Sequence, residues 1–189
     1  MDSSSKITAL ITARKDSQRV PFKNRETVGG IPLWMRSVLF AQSCGLHPVV
    51  DTDDELIIEA CKYRGFEVHK RTVPSEKEGG THWQAIEAAA EDLGINMYVL
   101  LQPTSPFRCQ QVLKDCLNSF DGSGPVLTYS TEGKWDGNIA VHTYPKSAWY
   151  EPTWVRNYFA CSLQIDFQDD LIEARAVSEA WDGLFRLDR

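Results

Sequence analysis

Lys6-Ile-Thr-Ala-Leu-Ile-Thr-Ala-Arg14-Lys-Asp-Ser17-Gln-Arg19-Val-Pro21-Phe-Lys23-Asn24 is the stretch on which the fold turns. Residues 6–12 are short and apolar and predict a buried strand. The second half places four cations, a serine and a proline in a loop. A buried strand that empties into a cationic loop is where an α/β sheet binds an anion, at the carboxyl end of its strands. Arg14 offers a bidentate fork and Lys23 a point charge, both suited to phosphate. Ser17 adds a hydroxyl donor, and Pro21 fixes one φ angle. Both cations are expected outside the core. Taken alone, the loop also reads as a solvated basic turn.

Working outward, the chain has 189 residues, enough for one domain with a substantial core. The net charge of −6 speaks against a general nucleic-acid surface, so any nucleotide contact must be a local basic pocket. No apolar run is long enough to span a membrane, and Met1-Asp-Ser-Ser-Ser5 has no signal-peptide core. The five cysteines contain no C-x-x-C pair. They predict reduced thiols in a cytoplasmic protein, with Cys61 a core residue on an apolar helix face.

Strands and helices alternate along the chain. Gly29-Gly30-Ile-Pro32-Leu33 reads as a turn into a helix, with Pro32 in its first turn and Gly45 its stop. His47–Asp51 predicts a second strand, followed by a helix capped by Thr52 or Asp53 and closed by Gly65. Asp54 and Glu55 read as helix-start residues, while Thr52 and Asp53 are also pocket candidates. Phe66–Val68 is a short third strand, and Gly79-Gly80-Thr81 leads to a helix N-cap. Met97–Leu101 is a central buried strand that runs into Gln102-Pro103-Thr104-Ser105-Pro106-Phe107-Arg108. Two prolines hold Thr104 and Ser105 in an extended loop there. That loop can present the Gln102 amide to a base or sugar edge, and Arg108 to an acidic substrate or structural carboxylate. Residues 109–120 predict a helix and Pro125–Tyr129 a strand.

The order A-R-x-x-S-x-R-x-P-x-K-N from Ala13 to Asn24 resembles the opening motif of the cytidylyltransferases that activate sialic acids and related acidic sugars. Lys15 and Asp16 stand where that motif usually has two glycines. The resemblance continues in G-x-P-L at Gly30–Leu33, and in the Asp51-Thr-Asp-Asp54 run, where Asp51 replaces a serine. It also extends to Gln102–Arg108, which departs only at Phe107, and to Asp136-Gly-Asn-Ile-Ala-Val141. The last motif, D-I-D-x-x-x-D-L in the family, is Gln164-Ile-Asp166-Phe-Gln-Asp-Asp170-Leu171 here.

The resemblance implies a single α/β domain over residues 1–189, three-layered and Rossmann-like. Its mostly parallel sheet would be flanked by helices, as in nucleotide-diphospho-sugar transferases. It implies transfer of CMP from CTP to a 2-keto-3-deoxy acidic sugar, with release of pyrophosphate. Arg14 and Lys23 would be catalytic and, with Ser17 and Arg19, would hold the triphosphate, and Ala13 would take part in binding the nucleotide or substrate. Asn24, Arg71, Gln102, Thr104 and Ser105 would meet base, ribose or sugar, Arg71 being equally readable as a surface charge. Asp166, at the end of a strand, would hold Mg²⁺ and be catalytic, with Gln164 a weaker neutral ligand. Asp170 would open the final helix.

The excursion that builds the family's sugar pocket and dimer interface is reduced around residues 125–160. The expectation is therefore a monomer, or a homodimer built on the aromatic segment Trp135–Tyr158. Two other readings stay open: a nucleotidyltransferase with a different sugar acceptor, and a nucleotide-binding module that has lost turnover, which Gln164 motivates.

Overall fold

The structure is a computed structural model that describes residues 7–74, 79–130, 135–144, 151–158 and 161–186, with side chains described as far as residue 181. Strand β1 (Thr8–Thr12) leads through the cationic loop, a short 3₁₀ turn (Lys23–Arg25) and the hairpin β2 (Thr27–Val28) and β3 (Ile31–Pro32) into α1 (Leu33–Ser43). There follow β4 (His47–Thr52), α2 (Glu55–Arg64), β5 (Glu67–Lys70), α3 (His82–Asp92) and β6 (Met97–Leu100). The chain continues with α4 (Gln110–Ser119), β7 (Val126–Tyr129), β8 (Trp135–Thr143), β9 (Thr153–Arg156) and α5 (Gln168–Arg186).

The main sheet has the order β5-β4-β1-β6-β8-β7-β9. β4, β5 and β6 run parallel to β1's direction, β8 runs against β6 and β7, and β9 is parallel to β7. The expected mostly parallel α/β architecture is what the chain adopts. Side chains alternate across the sheet. Ala9, Ile11, Val99, Leu101, Ile139 and Val141 pack on one face with α1, α2 and α4. Leu10, Tyr98, Leu100 and Ala140 pack on the other with Ile86, Ala89 and Ala90 of α3. Each fully buried aliphatic side chain contributes about 1.5–3 kcal/mol. A third cluster, with Val20, Leu33, Phe107, Ile165 and Leu171, seats α5 against the cationic loop and the Pro103–Pro106 loop.

The order of the strands places the site. From β1 the chain moves outward to β4 and β5, then returns to pair β6 on β1's other side. The loops after β1 and β6 therefore diverge at a topological switch point and leave a crevice between them.

Several local expectations are corrected. Asp54 caps α2, accepting from Leu56 N–H at 3.1 Å, because Thr52 is engaged elsewhere and Asp53 meets the cationic loop. Pro32 is the N-cap of α1 and pairs in the β-hairpin, rather than entering the first turn. Residues 162–166 form no strand; Ile165 N–H donates to Thr104 carbonyl at 2.8 Å as a single tie. Gly45 and Gly65 stop their helices as expected, each at positive φ.

Candidate active site

Among the described residues, fourteen line a cleft of about 270 Å³ at the carboxyl ends of β1 and β6. From the loop after β1 come Arg14, Ser17, Gln18, Arg19, Lys23 and Asn24; from the loop after β6 come Gln102, Pro103 and Thr104. Arg71 and His82 close one side, Gln164 and Asp166 another, and Thr12 the base. Four cations among the described residues, Arg14, Arg19, Lys23 and Arg71, thus converge on a space with the carboxylate of Asp166. A chain that is acidic overall has a cationic cleft.

The cationic loop is folded by its own polar groups. Thr52 Oγ donates to the Ala13 carbonyl at 2.5 Å, and Ala13 N–H donates to the Asp51 carbonyl at 2.8 Å. Lys15 N–H donates to Asp53 Oδ1 at 2.6 Å. Asn24 Nδ2 donates to the Arg14 carbonyl at 2.8 Å, which clasps the loop's two ends. Ala13, Thr52 and Asp53 therefore shape the loop from beneath and are not among the lining residues.

Lys23 was expected outside the core, yet it is buried. The loop turns back through the 3₁₀ turn and is covered by residues 165–166, so Lys23 Nζ donates to the Ile165 carbonyl at 2.6 Å. It lies 3.7 Å from Asp166 Oδ1, and Arg19 Nη2 lies 3.3 Å from the same oxygen. Burial pushes the Lys23 ammonium's pKa below its ordinary value, against the pull of Asp166. Arg19 also lies over the Phe167 ring at 5.0 Å.

The Pro103–Pro106 loop is held from behind by two guanidinium groups. Arg108 donates to the Gln102 carbonyl, to the Asn138 carbonyl at 3.3 Å and to Ser37 Oγ at 3.1 Å. Arg36 donates to the Pro106 carbonyl at 3.0 Å. The partners recorded for Arg108 are carbonyls and a hydroxyl, where a carboxylate was expected. Ser105 is turned inward and donates to the Gly137 carbonyl at 3.2 Å, so it fastens the loop. Gly137 has φ +67°, and a Cβ there would lie 2.6 Å from Gln164 Nε2 and 3.3 Å from Gln102 Oε1. Its missing side chain is the space in which the two cleft amides sit.

Two hydroxyls lining the cleft, those of Thr12 and Thr104, are buried with no hydrogen-bond partner among the described residues. A water, an ion or a polar ligand group in the cleft can satisfy them. His82, Thr12 and Gln18 line the cleft without having been singled out in the sequence. His82 follows the N-cap Thr81, whose capping box with Gln84 starts α3. The Gly-Gly-Thr signal located that helix start but not its neighbour's proximity to Gln102, whose Nε2 is 3.4 Å from His82 Nε2.

Arg71 is in the cleft rather than at the surface, its guanidinium held by Asp51. Of the residues expected in the site, Arg14, Ser17, Arg19, Lys23, Asn24, Arg71, Gln102, Thr104, Gln164 and Asp166 come together; Ala13 and Ser105 stand behind it.

The cytidylyltransferase family pattern matches residues 8–143, which contain every cleft residue except Gln164 and Asp166. An N-acylneuraminate cytidylyltransferase from Oncorhynchus mykiss is 28% identical over 127 residues, 66% of this chain and 29% of that protein. A CMP-N,N'-diacetyllegionaminic acid synthase from Legionella pneumophila is 26% identical over 176 residues, 89% of this chain and 66% of that protein. The chain thus spans under a third of the first relative's length and 66% of the second's.

Among solved structures, a nucleotidyl transferase from Methanothermobacter thermautotroptrophicus superposes with a TM-score of 0.73 at 15% identity, covering 93% of this chain and 98% of that one. A CMP:2-keto-3-deoxy-manno-octonic acid synthetase complexed with CTP gives 0.54 at 21% identity, covering 67% and 52%. These likenesses bear on the fold. The sequence match runs from β1 to the end of β8, across the strands whose ends build the cationic crevice, and on it the chain belongs to the cytidylyltransferase family.

Proposed function

We propose that this protein transfers CMP from CTP to a 2-keto-3-deoxy acidic sugar and releases pyrophosphate. The observation that carries the reading is the convergence of Arg14, Arg19, Lys23 and Arg71 in one cleft, where Asp166 is the one carboxylate among the described lining residues. That excess of positive charge suits a triphosphate. The names of the two relatives, which handle acylneuraminate and diacetyllegionaminate, support the class of acceptor.

In this reading Arg14, Ser17, Arg19 and Lys23 hold the triphosphate. Thr12 and Thr104 offer their hydroxyls, Gln102 and Asn24 meet the base, ribose or sugar, and Arg71, the fourth cation of the cleft, reaches the phosphates. The anomeric hydroxyl oxygen of the acceptor bonds to the α-phosphorus. The bond from that phosphorus to the bridging oxygen breaks, pyrophosphate leaves, and the hydroxyl proton passes to solvent. Such a transfer depends on positioning and charge neutralisation more than on covalent help.

The family implies Mg²⁺. Among the described residues no group of three or more His, Cys, Asp or Glu side chains could hold a metal. Asp166 nevertheless brings a partly exposed carboxylate to the cleft, with Gln164 beside it. One carboxylate suits Mg²⁺, which keeps waters and binds through substrate phosphates. Asp166, with Gln164 as a neutral neighbour, would hold the ion, which when bound neutralises charge on the triphosphate.

Incubation with CTP, Mg²⁺ and a panel of keto-sugar acids, with pyrophosphate measured, tests the proposal. Release with a nine-carbon or eight-carbon acid supports it. Release only with another sugar would change the acceptor. CTP binding without release in any arm would make the protein a nucleotide-binding module.

A further inference from the structure

Behind Arg71 lies a row of alternating charge that the proposed reaction leaves unused. Asp51 on β4 is fully buried. Its register partner on β5 is His69, and Arg71 follows two residues later, just past the end of β5, with its side chain also on Asp51. Asp51 Oδ2 accepts from Arg71 Nε at 2.9 Å and Nη2 at 2.5 Å. Asp51 Oδ1 lies 2.9 Å from His69 Nδ1, and His69 Nε2 lies 3.0 Å from Asp92 Oδ2 at the end of α3. Arg71 N–H donates to the Thr52 carbonyl at 2.9 Å, which fixes the backbone as well.

Both ring nitrogens of His69 face carboxylate oxygens, and an ionised carboxylate only accepts. Both contacts are hydrogen bonds to ionised carboxylates only when both nitrogens carry protons, so the row is complete in the imidazolium form. The order Asp92, His69, Asp51, Arg71 then alternates negative and positive. With His69 charged, Asp51 is shared between two cations, and Arg71 keeps charge for the cleft it lines. With His69 neutral, the whole of Asp51's charge falls on Arg71.

We infer that Asp51 and His69, backed by Asp92, are positioning residues that aim the Arg71 guanidinium into the cleft and leave its charge available to the phosphates of a nucleotide. This rests on the nucleotide reading above. Asp51 from β4 and Asp92 from α3 are the titratable groups facing His69 among the described residues, with Arg71 reached through Asp51. Burial pulls the His69 pKa down, but the bonds to Asp51 and Asp92 outweigh it and leave it above the ordinary 6.5. Nucleotide affinity is thus fullest below that raised pKa and falls as pH rises through it.

Calorimetric titration of CTP and of cytidine onto wild type, Asp51→Asn, His69→Gln and Asp92→Asn across this pH range is the test, with a thermal melt for each variant. Wild type should lose CTP affinity as pH rises through the raised His69 pKa. His69→Gln should bind CTP weakly at every pH and lose the His69 step. Asp92→Asn, at the exposed end of the row, should keep full affinity at low pH with its midpoint moved down. Cytidine affinity should be unchanged in the folded variants, since the effect is on phosphate. His69→Gln with the wild-type pH profile, or cytidine weakened as much as CTP, overturns the inference. A folded wild type that binds no CTP overturns the nucleotide reading instead, and the inference falls with it.

Discussion

Lys23 is buried, and its ammonium is shared between a backbone carbonyl and the Asp166 carboxylate at the floor of the cleft. Charge-assisted hydrogen bonds contribute about 1.5–3 kcal/mol each. Lys23→Ala and Arg14→Ala are therefore expected to weaken CTP binding roughly tenfold or more, read by calorimetry; unchanged affinity in both would remove the loop from the site. Lys23 also gives a pH signature. Its pKa in the folded protein lies below the ordinary 10.5, chiefly through burial. The unfolded chain therefore holds the proton to higher pH, and the stability lost to the buried charge is recovered as pH rises through the depressed pKa towards 10.5. A bound triphosphate raises that pKa again. CTP binding in this alkaline window should take up a proton, seen as a buffer-dependent heat, and Lys23→Ala should abolish that uptake.

Asp166 makes ion pairs with Arg19 and Lys23 in the free protein. Mg²⁺ must compete with both, so no measurable Mg²⁺ binding is expected without nucleotide. With CTP present a site should form, and Asp166→Asn should abolish turnover with little change in melting temperature. Equal Mg²⁺ affinities of wild type and variant with CTP bound would take Asp166 out of the metal site.

At the scale of elements, α3 carries the least expected part of the cleft. Its start is a capping box in which the Thr81 hydroxyl accepts from Gln84 N–H at 3.2 Å and the Gln84 side chain accepts from Thr81 N–H at 2.8 Å. That box sets the angle at which His82 enters the cleft. Thr81→Ala removes one half of it and is expected to lower stability by about 1 kcal/mol, measured by denaturant unfolding. Asn at the same position should restore most of that loss, because Asn caps as well as Thr. No restoration would show that the Thr81 methyl, not the cap, matters. The hairpin β2–β3 and α5 act together on the cleft's other flank. Arg175 donates to Glu26 Oε2 at 2.7 Å and to the Thr27 carbonyl at 3.0 Å, and so pins the returning end of the cationic loop.

For the whole molecule, the sheet's edge is the surface on which an assembly prediction can be tested. β9 closes one end of the order, and Trp154 within it and Tyr158 just after it are exposed large aromatics. Trp135 and Tyr144, from the same aromatic segment, are half-buried against α3's side of the sheet, while Trp149 and Tyr150 lie outside the described residues. Light scattering is expected to give a monomer, or a dimer that Trp154→Lys dissociates. A dimer untouched by that substitution would rule this segment out. No helix among the described residues is long and apolar enough to cross a membrane.

The sequence by itself determined β1, β4 to β7, the helices α1 to α5 and most of the cleft's inventory, but not the hairpin β2–β3, β8 or β9, and the strand it led one to expect before Asp166 does not form. The apolar run before Arg14, the stops at Gly45 and Gly65 and the Pro103–Pro106 loop are local signals, because strand burial, positive φ and proline act within a few residues. The order of motifs was enough to name Arg14, Arg19, Lys23, Gln102 and Asp166 as one group, and they line one cleft. What the tertiary structure alone decided depends on partners far apart in the chain. Lys23 is buried by Ile165, 142 residues away. Ser105 turns inward because Gly137 offers a carbonyl, and Asp53 is drawn from the α2 cap by the Lys15 backbone. Asp51, His69, Arg71 and Asp92 form a row only because β4, β5 and α3 stand side by side. Hydrogen bonding and desolvation are set by whatever the fold brings within about 3 Å, and no spacing along the chain encodes that.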